Sequence, residues 1–306
     1  MYNESISHKR LWAWLAVAIS APLAHYSGGS WLALLILGVI CWGVAALLPD
    51  DFDLIWKSRV LCILQLVWFV LLLSQLMPMS AAYWPGEKSE IVVPAVLLAL
   101  GAYSCNKRAS RVAGVLFWVS LIMFVPIAVA GAKDVQLRWL IPQSMEASAW
   151  ILPVLLLPCG AKLLAEDGEG QGWYPMIVLF GVGLWALTAG VLSPIVAAQE
   201  QNPFREVSRS LAIGAASRFE SLISVTVTTG WFCLGSLLIR CASVCCEALG
   251  IQGKIAPWLV AAAGMLLQLS GLKISGETGA ALTAFLWIFL PLLYGKILSK
   301  KREKRA

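Results

Sequence analysis

The chain has 306 residues, of which 59% are hydrophobic and 13% charged, with a formal net charge of +6. Soluble domains carry about 25% charged residues, so this composition excludes an ordinary soluble protein and describes one that crosses a membrane repeatedly. Much of the positive charge lies in one tail, Lys296 to Arg305, which reads as a membrane-proximal segment and not as a nucleic-acid-binding surface.

The apolar residues fall in blocks of about 18 to 25, the length that carries an α-helix through a bilayer. Alternating ten-residue patterns are absent, which argues against a β-barrel. Several of the 15 Trp mark the ends of blocks, as interfacial belts require, among them Trp31, Trp56, Trp84, Trp139 and Trp173. Most of the eight Cys lie inside apolar blocks, where cysteine behaves as a small hydrophobe. Cys241, Cys245 and Cys246 cluster without a nearby His or a Cys-x-x-Cys pair, so packing or acylation is expected there and zinc is not.

In chain order, Lys9-Arg10 mark a membrane edge and a first span covers about 11–26, interrupted at Ser20-Ala21-Pro22. The Ser27-Gly28-Gly29 turn leads to a second span at about 30–48, and a third covers about 56–80 with Gln65 and Gln75 inside it. A fourth is expected at about 90–105 and a fifth at about 111–131. The sixth, about 147–165, is interrupted at Pro153 and again at Pro158-Cys159-Gly160. Spans at about 173–197, 219–246, 255–272 and 279–298 complete a set of ten. The first run is followed at once by the second with no Ala-x-Ala-type site, so it is kept as a span and not as a cleaved signal.

Charge tests that count. With a cytoplasmic N-terminus, sixteen of the 23 Lys and Arg fall on cytoplasmic ends and seven on the other side. This bias favours an even number of spans with both termini inside. It also puts the polar segment 199–217 on the outer side. That segment leads into the eighth span, with Arg218 and Glu220 at the threshold, where ionisable groups must pair or reach the headgroups.

Spans one and six, five apart, are both interrupted by Pro beside small residues. Paired interruptions of this kind point to an inverted repeat with a binding site at the breaks, although each is also what a simple proline kink produces. The expected architecture is a single all-α membrane domain with a first repeat at about 11–131, a second at about 147–272, a final span at 279–298 and a basic tail at 299–306. Ser20, Ala21 and Pro22 would then face Pro158, Cys159 and Gly160 across a pocket. Gln65, Thr226 and Thr228 are further candidates for its wall, though hydroxyls in a membrane usually bond a helix backbone. No Walker A loop, nucleophile elbow, His-Glu-x-x-His or Ser/His/Asp set is present, so neither enzyme chemistry nor a metal or cofactor is expected.

Pro203, Arg209, Gly214, Arg218 and Glu220 stand in the pattern P-x5-R-x4-G-x3-R-x-E before an apolar helix containing Trp231. With Gly28-Gly29-Ser30-Trp31, Ser110-Arg111-Val112-Ala113 and Leu140-Ile141-Pro142, this arrangement resembles the spore germination permease family, the B-subunit type of nutrient germinant receptors. The resemblance implies a LeuT-like fold of the amino acid–polyamine–organocation superfamily with broken helices 1 and 6. It implies a sensor of small nutrients such as amino acids in a bacterial cell membrane or spore inner membrane. Its partners would be a membrane A-type subunit and a lipoprotein C-type subunit, with Arg209, Gly214, Arg218 and Glu220 as structural or coupling residues. The chain departs from that family's pattern in having no glycine before Ser20, Gly114 in place of a glutamate, and Ala161-Lys162 where a glutamate is usual. A subunit that assembles without binding a ligand, and an amino-acid permease, are the alternatives.

Overall fold

The computed structural model describes residues 7–47, 58–81, 106–141, 145–164, 174–200, 202–211 and 220–294. Among them the chain is helical, without strands. The long helices are α1 (His8–His25), α2 (Trp31–Leu47), α3 (Arg59–Ala81) and α4 (Asn106–Asp134). After them come α5 (Ile151–Ala161) and α6 (Tyr174–Leu192). Two short helices, α7 (Pro194–Gln199) and α8 (Pro203–Ser210), precede α9 (Glu220–Ala248), α10 (Ala256–Leu269) and α11 (Gly276–Ala284). The last runs on through a π-helical turn at Phe285–Phe289. Among the described residues five helical stretches are long and apolar enough to cross a membrane: Arg59–Leu76, Ser110–Asp134, Tyr174–Leu192, Ile223–Ala248 and Gly276–Tyr294. Trp31–Leu47, Ile151–Leu164 and Ala256–Leu269 are shorter apolar helices. This is an all-α membrane protein; the expected span at 90–105 and the tail at 299–306 lie outside the described residues.

The bundle is built on α9, 83% of whose apolar stretch is buried, against 22% for α4. α1 lies along it in the opposite sense: Trp14 donates its indole N–H to the Cys233 carbonyl (2.9 Å), while Ala21 packs on Gly230. α3 runs with α1, since the Tyr26 hydroxyl at the end of one reaches Met79 near the end of the other (2.7 Å). α6 also runs with α1, with Tyr174 edge-on to Trp12 and the Trp185 N–H on the Leu23 carbonyl. α4 follows α6, as Phe124 meets Phe180 and Gly131 meets Leu187. α2 runs against α6, with Leu34 at Gly181 and Gly38 at Val178.

Two glutamines of α3 hold the C-terminal helix and the turn that leads into it. Gln65 donates to the Leu286 carbonyl (3.0 Å) and accepts from the Trp287 indole (2.7 Å). Gln75 donates to the Leu272 carbonyl (2.7 Å) and accepts from the Ile274 amide (3.2 Å). The order 65 with 286 and 75 with 272–274 makes α11 antiparallel to α3. Trp150 at Gly276 and Gly279, with Gly160 at Trp287, makes α5 parallel to α11.

Both expected breaks are corrected. α1 continues through Ser20-Ala21-Pro22 to His25, and α5 continues through Pro158-Cys159-Gly160 to Ala161. In α1 the Ser20 hydroxyl bonds the Val17 carbonyl (2.7 Å), and Pro22 stands one turn from the end, where the Tyr26 amide still closes on its carbonyl (2.9 Å). In α5 every side is packed, so unwinding would strand backbone groups with no cavity to solvate them. The seventh span does divide, at Ser193, whose φ is 69°. Proline at 194 cannot continue a helix and biases the residue before it away from helical backbone.

Gly230→Leu should therefore disrupt the bundle, because a Cβ at 230 already lies 2.7 Å from the Ala21 Cβ and 3.0 Å from the Val17 carbonyl. Overpacking costs about 1–3 kcal/mol or more, read as a lowered melting temperature in detergent, while Gly183→Leu, which meets nothing within 4 Å, should melt as the parent does. Gln65→Met should cost about 1–3 kcal/mol by leaving the buried Trp287 N–H without its acceptor; an unchanged melting temperature would show that the clasp is not a structural tie.

Candidate functional site

A cavity of about 400 Å³ opens where α1 ends. One wall is the turn from His25 to Trp31, the second the stretch around Trp139 and Glu146–Ser148, the third the segment from Pro194 through α7 to Pro203. Each wall follows from local chemistry. Gly28 sits where a Cβ would collide with the Ala197 carbonyl, and at Gly29 it would lie 2.9 Å from both the Glu146 carbonyl and the Trp185 ring. Only a residue without a side chain lets the turn pass between those two segments.

The walls are tied by backbone and indole hydrogen bonds. The Ser30 amide donates to the Glu146 carbonyl (2.8 Å), and the Trp31 indole to the Leu140 carbonyl (2.8 Å). The kink at Ser193 turns the chain under the cavity, and the Ser193 hydroxyl caps α7 at Val196 (3.5 Å). α8 closes the far side. Its Phe204 and Val207 are buried, as is Leu211 just after it, and Phe204 packs on Phe124 with ring centroids 5.8 Å apart. Its polar face carries the Arg209–Glu206 ion pair (2.6 Å), whose exposure keeps its contribution small.

The lining mixes two carboxylate residues, Glu146 and Glu200, with Tyr26, Trp31 and Trp139, and among the described residues includes no Lys or Arg. Acidic and aromatic groups around a concave space suit an ammonium, which the first attract by charge and the second by their π-faces. Behind the turn, Trp231 lies edge-on to His25 with centroids 6.2 Å apart.

The site residues expected from sequence are placed elsewhere. Ser20, Ala21, Pro158, Cys159 and Gly160 are buried, as is Pro22. Ala21 packs on Gly230 and Gly160 on Trp287, so the two triplets are engaged with different partners. Gln65 belongs to the clasp on the C-terminal helix. Thr226 is buried and Thr228 half-buried on α9, and neither lines this cavity. Arg209 is in the exposed pair on α8; Gly214 and Arg218 lie outside the described residues, as does the side chain of Glu220. His25, Glu146 and Glu200 were not anticipated as one site, because they are far apart in the chain and carry no shared spacing. The signal that could have found it was the pairing of Gly28-Gly29 with Ser193-Pro194, two forced changes of chain direction. No family model and no curated protein matches this chain.

Proposed function

We propose that the chain is the membrane subunit of a complex of the nutrient-germinant-receptor kind, and that it senses a small amine-bearing molecule, such as an amino acid, in the cavity at the end of α1. The observation that carries this reading is the cavity itself. It is acidic and aromatic, and built from three segments: the turn after α1, the stretch around Trp139 and Glu146–Ser148 that leads into α5, and Pro194 through α7 to Pro203. A ligand held there contacts all three, so it favours whichever relative arrangement fits it.

The ten-span reading is supported by helix sense. α1, α3, α4 and α6 run one way and α2, α5, α9 and α11 the other, as odd and even spans of an alternating ten-span chain would; the five-plus-five division rests on the family resemblance. The charge bias then assigns the Lys9 end to the cytoplasm and the cavity to the outer side. The solid packing of Ser20–Pro22 and Pro158–Gly160 favours an assembly-only subunit as the second reading, and gives the permease reading least support.

A thermal-shift screen of the purified chain against amino acids, amines, sugars and nucleosides tests this. An amine-bearing hit at a hundredfold its Kd should stabilise by about 2.7 kcal/mol. Ala198→Trp, which fills the cavity from an exposed lining position, should abolish the shift without altering the unliganded melt. Glu200→Gln should weaken binding by about tenfold or more, the scale of a lost charge-assisted hydrogen bond. No shift with a folded sample would leave the assembly-only subunit.

A further inference from the structure

A second cavity, of about 710 Å³, runs along the flank of the bundle between α1, α4 and α6. Its bed is made by small residues, Ala13 and Ala16 on α1 and Gly114 on α4. Its sides are apolar, with Phe117 and Leu121 facing Leu179 and Phe180. Leu121, Met176, Leu179 and Trp118 are all exposed along it, so the groove opens sideways toward the surroundings of the bundle, where a bilayer would lie.

The groove is charged at one end only. Lys9 and Arg10 line its mouth and are exposed, and no acidic residue lines it among the described residues. Arg111, exposed and one turn before Gly114, adds a third cation at the same end. Apart from these, its hydroxyl lining among the described residues is Ser20 and Ser120. From Lys9 to Ser20 the helix rises about 16 Å at 1.5 Å per residue. That is close to half of a hydrocarbon core about 30 Å thick, or one leaflet.

We propose that this groove is a binding site for an anionic phospholipid: one acyl chain lies along the groove and the phosphate rests on Lys9, Arg10 and Arg111. Length, apolarity and the confinement of cations to one end match the chain, the tail and the headgroup of such a lipid. A zwitterionic lipid offers the same tail with a counter-charge on its head, so selection rests on the three cations. A free phosphate satisfies only the mouth. The inference does not depend on the sensing role.

The test uses the full chain in neutral detergent, with native mass spectrometry for retained lipid and thermal unfolding as a second readout. Phosphatidylglycerol should be retained and raise the melting temperature, while phosphatidylcholine with identical chains should be retained about tenfold less. Glycerol phosphate should do neither. Lys9→Gln with Arg10→Gln should cut phosphatidylglycerol retention by about tenfold and erase the preference over phosphatidylcholine. Gly114→Leu should fill the groove and remove both lipids. A side chain at 114 meets nothing within 4 Å, so this variant is expected to fold, which circular dichroism and gel filtration check. Equal retention of the two lipids, retention unaffected by either variant, or stabilisation by glycerol phosphate alone would overturn the proposal.

Discussion

The close approach of α1 to α9 is the contact on which the rest of the bundle depends. In a bilayer there is little hydrophobic gain from pressing two apolar helices together, so association relies on close packing and on polar ties. Gly230 lets the α1 backbone reach α9 at Ala21 and Val17, and the Trp14 indole finds the Cys233 carbonyl beside that contact. Once α1 is held there, α3 can follow it through Tyr26 and Met79, and α6 through Trp12, Tyr174 and Trp185. α4 and α2 then pack on α6, leaving much of α4 exposed on the outside.

The same contact explains why the middle of the molecule is closed and its ends are not. Small residues at the centre bring backbones together and leave no room for a guest. At the end of α1 the chain must turn, and Gly28-Gly29 passes between two other segments that are themselves turning. Three changes of direction in one place do not close-pack, and the space left over is lined by the polar groups that turns expose. A cavity at such a junction is coupled to several helices at once, which a cavity within one pair of helices is not.

The polar residues inside the bundle work mainly as ties. Gln65 and Gln75 sit on one helix and each grips a backbone carbonyl of the C-terminal region, one of them at the π-helical turn where the regular ladder is altered. Ser20, Ser74, Thr188, Thr229 and Ser243 all bond carbonyls of their own helices. An amide with both donor and acceptor can satisfy two neighbours in a region without water, so a buried glutamine holds helices together at low cost once both of its groups are matched.

Much of the architecture was legible in the sequence, because apolar length and terminal charge are local properties. The helices expected at about 111–131, 219–246 and 255–272 occur at Asn106–Asp134, Glu220–Ala248 and Ala256–Leu269. The segment 199–217, read from sequence as polar, contains a helix at Pro203–Ser210 whose Phe204 and Val207 are buried. What proline does at depth was not legible. Pro22 and Pro158 remove one backbone donor each, and whether a helix opens or closes over that loss depends on neighbours distant in the chain, here Gly230 and Trp287. At Pro194 the same residue type does end a helix, and Ser193 before it stands at positive φ. The cavity depended on tertiary structure for the same reason: His25, Glu146 and Glu200 share no spacing, and only the folding of three turns against one another brings them to a common wall.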